Sequence, residues 1–207
     1  MDPSPHMDLV REEMRAPHPS GQMYARELGE ALARLVWESF SDFLVDPDAR
    51  ALLNRVAGSE EGGLSEEKAI EEILIFHLWI HSRALEVALA GSAAEESLRS
   101  VLDHLHAAVF EDMVTNGTPE PQIPVFEQRV SARYANYHAA ARSSNRAVGE
   151  AVLEEIAGRQ GSGDPAAVQC LRDRIVELVH PLRDYLEGIR VMPEGGNGQP
   201  PPDSETQ

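Results

Sequence analysis

The segment ILIFHLWIHSRAL, residues 73–85, constrains the fold of this 207-residue chain more than any other stretch. A helix drawn through it is apolar on almost every side, yet it carries His77 and His81, one helical turn apart. No apolar run in the chain reaches the roughly 18 residues that a bilayer span requires. The segment therefore reads as part of a folded domain, with no membrane insertion.

At about 100° per residue, helical phase places Ile70, Ile73, Leu74, Ile80, Ala84 and Ala88 on the same side as His77. His81 falls in that sector too, so both imidazoles are expected to face inward. Lys68, Glu72, Arg83 and Glu86 occupy the opposite half, which Ile75 and Trp79 interrupt.

The rest of the chain reads as helices, and no segment alternates convincingly as a strand. A first helix is expected from Met23 to Val45, buried along Tyr24, Leu28, Ala31, Leu32, Leu35 and Val36. Trp37, Phe40 and Leu44 lie off that stripe and need cover from the next helix or from a second subunit. Asp46 followed by Pro47 predicts a cap and first turn, as does Asp164 followed by Pro165. Ser65 is expected to cap the helix containing the histidines, and Ser92 with Glu95 has the pattern of a capping box for the next one. That helix buries Leu98, Val101, Leu102, Leu105, Val109 and Met113, with Asp112 in the same sector and His106 at its border. Asp103 and His106 share a side that reads as a solvated face. The proline-rich TPEPQIP cannot continue a helix. The next stripe is Phe126, Val130, Tyr134, Tyr137 and Ala141, flanked by Arg133 and His138. A break is expected at Ser143-Ser144-Asn145, and a bend at Pro181 in the last helix.

The expected architecture is all-α: a single-domain bundle of six or seven helices over residues 23–192, with disordered termini at 1–22 and 193–207. The formal charge of −17, from 35 acidic and 18 basic residues, argues against nucleic acid and anionic membranes and favours a protein partner with a basic surface. The single cysteine, Cys170, excludes an intrachain disulfide and fits a reducing compartment; with no signal-peptide pattern at the start, the expected location is cytoplasmic.

Two readings of the histidines stand side by side. In one, they bond to Asp112, a tyrosine or a backbone carbonyl, while an Asp112–Arg133 pair fixes helix register. In the other, His77, His81 and Asp112 ligate a metal, or the bundle holds haem, and the protein is a metal- or haem-binding bundle, an enzyme among the options. The HxxxH spacing lacks the ExxH pairs of di-iron bundles, and neither a phosphate loop nor a nucleophile elbow is present.

Between residues 76 and 140 the order of features resembles the ubiquinol–cytochrome c chaperone family. The resemblance rests on Phe76-His77 followed by Arg83 and Leu85, on VFEDM at 109–113, and on QRVSARYANYHAA at 128–140. The family's G-V-P-D-T stretch is missing here, and NGTPEPQIP replaces its M-G-V-G-D element. The resemblance implies an all-helical assembly chaperone without a catalytic centre; separately, no cofactor is expected. It gives Phe110, Glu111, Asp112, Met113, Arg129 and Val130 structural or client-facing roles. Strong acidity, expected flexible tails at both ends and the second apolar face of the first helix make the expected function a non-enzymatic helical protein-interaction module, an assembly factor or complex subunit. Trp37, Phe40 and Leu44 would contact a partner or a second copy in a homodimer.

Overall fold

A computed structural model of the chain describes residues 21–57, 65–91, 93–158 and 164–192. Along these run β1 (Gln22–Tyr24), α1 (Ala25–Val45), α2 (Pro47–Ala57), α3 (Glu66–Leu89) and α4 (Glu95–Thr115). A 3-10 turn (Glu120–Gln122) then leads into α5 (Ile123–Ala141), α6 (Asn145–Ala157), α7 (Pro165–Leu186) and β2 (Arg190–Met192). The architecture is an all-α bundle. No helix among the described residues is long and apolar enough to cross a membrane.

Local chemistry explains where most helices begin. Asp46 Oδ1 accepts from the backbone N–H groups of Asp48 and Ala49, at 2.9 and 2.8 Å, satisfying donors that the first turn of α2 leaves open. Ser65 caps α3 through Lys68 N at 3.4 Å, Ser144 caps α6 through Ala147 N at 3.1 Å, and Asp164 caps α7 through Ala166 N at 2.9 Å. Gly158, at φ 65°, ends α6 in the left-handed conformation that glycine adopts without a Cβ clash. Helix α4 differs from expectation. It starts at Glu95 with Ala94 as its cap residue, which offers no side-chain bond, while Ser92 lies outside the described residues.

The first helix also starts later than Met23. Gln22–Tyr24 instead pairs in parallel with Arg190–Met192, in the register Gln22↔Arg190, Met23↔Val191 and Tyr24↔Met192. This pairing corrects the expectation of no strand. Three residues are too few to show alternation, and the partner lies at the far end of the sequence.

Helix α3 is the hub. It packs against α1, α2, α4, α5, α6 and α7, so it has no broad solvent side. Ile75 and Trp79, which interrupt the polar half in projection, are buried, and Trp79 meets the rings of Tyr137 and His138 on α5. Glu72, expected on the solvent half, is buried as well; that expectation fails because α5 and α6 cover its side. On α1, Phe40 is core, whereas Trp37 and Leu44 are half-buried and packed against it. Two glycines allow close helix approach. A Cβ at position 29 would lie 2.6 Å from His104 Cβ and 2.8 Å from Leu105 N on α4, and one at position 149 would lie 2.9 Å from Val168 O on α7.

Candidate functional site

Three constellations of interior polar groups stand out, each tied to α3. In the first, His77 and His81 are both buried. His77 Nδ1 lies 2.9 Å from Ile73 O, and His81 Nδ1 lies 2.8 Å from His77 O. A carbonyl can only accept, so both rings carry their proton on Nδ1, and Nε2 of the neutral ring is an acceptor. Arg174 of α7 meets that acceptor, donating from Nε to His77 Nε2 at 3.4 Å, and it also donates from Nη2 to the Ser39 carbonyl of α1. The rings of Phe40, Phe43 and Phe76 surround His77 edge-on, with centroids at 6.0, 5.3 and 5.6 Å. Burial holds His77 well below the ordinary imidazole value; the Arg174 charge adds to this, and the Ile73 bond opposes it. Burial likewise brings His81 down to about 4, against the opposing bond to the His77 carbonyl.

Backbone carbonyls are thus the partners of both Nδ1 atoms, as one reading anticipated. The metal reading required His77, His81 and Asp112 to converge. Among the described residues no three His, Cys, Asp or Glu side chains are grouped to hold a metal ion. A metal or haem iron at His77 Nε2 would also have to displace a guanidinium. Asp112 is half-buried on α4, where its backbone carbonyl accepts from the Asn116 side chain at 2.8 Å.

The expected Asp112–Arg133 pair is replaced by the second constellation. Arg133 of α5 donates from Nε and Nη2 to the two carboxylate oxygens of Glu72, at 2.8 and 3.1 Å. It also reaches Glu155 of α6 through Nη1 at 3.0 Å. One turn earlier on α5, Arg129 holds Glu71 at 2.7 Å and lies 3.7 Å from Glu72. Three helices are joined through these five side chains.

The third constellation runs from Ser82 of α3 to Tyr134 of α5 and His106 of α4. Ser82 Oγ lies 3.0 Å from Tyr134 Oη, and His106 Nε2 lies 3.0 Å from the same oxygen. His106 Nδ1 is 2.6 Å from Leu102 O, so the Tyr134 hydroxyl donates to Nε2 of the neutral ring. His106 therefore serves the interior rather than the solvated face expected for Asp103 and His106. The Tyr134–His138 pair is a packing contact, with centroids at 6.0 Å and planes at 83°.

Of the residues carried over from the family resemblance, Met113 and Val130 are core. Phe110 packs edge-on against Phe126, and Arg129 is engaged by Glu71. Glu111 is exposed. Arg174 escaped the sequence reading although a signal existed: it sits three residues after Leu171 and four before Leu178, on the apolar side of α7. Comparison with protein-family models, with curated proteins and with solved structures returns no match.

Proposed function

We propose that the chain is a non-enzymatic, cytoplasmic helical interaction module, an assembly factor or subunit of a larger complex, whose partner presents a basic surface. The observation that supports this reading is the division of labour among polar groups. Three sets of interior polar side chains join helices: Arg174 with His77 and the Ser39 carbonyl, the Glu72–Arg133–Glu155 network and the Ser82–Tyr134–His106 chain. The net charge of −17 then favours attraction to a cationic protein surface over phosphate or lipid headgroups. The likeness of residues 76–140 to assembly chaperones supports the same class. On α1 the partner-facing candidates narrow to the half-buried Trp37 and Leu44, next to Val45 at 74% exposure, since Phe40 is core.

Size-exclusion chromatography of extract from the native source tests the proposal. Comigration with a stoichiometric basic protein, lost as salt screens the charges, is the expected result. Migration as the free chain at every salt concentration would sink it.

A further inference from the structure

The contact between His77 and Arg174 joins an imidazole whose ring nitrogens are both committed to a guanidinium that is always charged. Nδ1–H is spent on Ile73 O, and Nε2 must stay bare to accept from Arg174 Nε–H. A second proton on the ring would set N–H against N–H and cation against cation, inside a cage of three phenylalanine rings that offer no alternative acceptor oxygen. Among the surrounding groups, Arg174 and His81 deepen the conflict, while the nearby carboxylates act on Arg174. From α7 come Arg174 itself, with Glu177 and Cys170 beside it; from α3 comes His81, one turn on, itself buried. From α1 come Phe40, Phe43 and the Ser39 carbonyl, with Asp42 acting on Arg174 rather than on His77.

Arg174 also has somewhere to go. Its Nη1 is already 3.7 Å from Glu177, whose side chain is 53% exposed. Leaving His77 and Ser39 for that carboxylate would break the polar tie from α7 to both α3 and α1. We propose that the His77–Arg174 contact is an acid-sensitive latch, and that a second proton on His77 releases α7, together with the β2 segment that follows it, from the bundle. The latch is selective within the fold. The Ser82–Tyr134–His106 chain can take up a proton by reversing its donors, because Tyr134 Oη can accept from His106 and donate to Ser82, which in turn donates to Leu78 O.

Amide hydrogen exchange of the full chain, corrected for intrinsic rates, tests this. Between pH 7 and pH 5, residues 168–182 and 36–43 should lose protection by about tenfold or more, the change expected per unit of pKa difference, while residues 126–137 of α5, which is tied to α3 through Arg133 and Glu72, keep theirs. His77→Gln retains an acceptor for Arg174 but takes no proton, so its α7 protection should fall by much less over the same range, His81 being the buried imidazole that remains. Equal loss in the native chain and in His77→Gln, or uniform loss across all helices, overturns the latch. Should that variant fail to fold, the His77 ring resonances of the native chain decide the matter. A ring that stays neutral until α7 loses protection supports the latch, and a ring that titrates while α7 stays protected overturns it.

Discussion

Glu72 and Arg133 form a two-point ion pair between α3 and α5, with N–O distances of 2.8 and 3.1 Å and the carboxylate side chain only 2% exposed. A carboxylate this deep is costly to strand, because removing its two-point partner leaves only the Arg129 guanidinium, at 3.7 Å, to offset the desolvation penalty. Arg133→Ala should therefore cost about 3–5 kcal/mol in urea denaturation, the range for breaking a buried pair. Replacing both residues with methionine should cost less than Arg133→Ala alone, since the buried Glu72 carboxylate is removed together with its partner. A cost below about 1 kcal/mol for Arg133→Ala, the value of a surface pair, would show that water reaches Glu72.

Why this pair was invisible in the sequence follows from what helical phase can report. Caps such as Asp46, Ser65 and Asp164 were legible because the side chain and the N–H groups it satisfies are neighbours in sequence. The inward direction of His77 and His81 was legible because one apolar stripe sufficed to define it. Glu72 was not, since a helix enclosed by six others has no solvent half, and phase alone cannot count neighbours. The β1–β2 pairing depends on contact between opposite ends of the chain. The partner of Arg133 likewise depended on which helices meet, information absent from any single helix.

At Gly29, two effects of opposite sign compete. Alanine is the better helix former by about 1 kcal/mol in an exposed helix interior. Here its Cβ would sit 2.6 Å from His104 Cβ and 2.8 Å from Leu105 N, and neither atom belongs to a flexible side-chain end. Overpacking should win, so Gly29→Ala is expected to lose about 1–3 kcal/mol. Gly149→Ala, facing Val168 O at 2.9 Å, should behave alike. A raised melting temperature for Gly29→Ala would mean that α1 and α4 are farther apart than described.

Two tyrosines on α5 should respond in opposite ways to losing the hydroxyl. Tyr134 Oη bridges Ser82 and His106, each at 3.0 Å, so Tyr134→Phe leaves His106 Nε2 without its donor and should cost about 1–3 kcal/mol. The Tyr137 hydroxyl is buried with no hydrogen-bond partner among the described residues. Its removal in Tyr137→Phe deletes an unsatisfied polar group and should leave stability unchanged or raised. Equal losses in the two variants, measured by denaturant unfolding, would refute this assignment of roles.

The same pair sets the alkaline limit of the fold. Burial is the main cause that raises both phenols above the ordinary value of 10.0; Glu86 adds to the effect at Tyr134 and Glu72 at Tyr137, while the Ser82 bond and Arg133 respectively oppose it. Below pH 10 both phenols keep their protons whether the chain is folded or unfolded, so their stabilising contribution is fully present. Above it the unfolded chain releases protons that the folded chain retains, so stability falls as pH rises, by up to about 1.4 kcal/mol per pH unit for each tyrosine. Tyrosinate absorbance near 295 nm should therefore hold back a component that appears only together with loss of helical circular dichroism. Smooth ionisation of every tyrosine while the helices persist would mean that Tyr134 and Tyr137 are open to solvent.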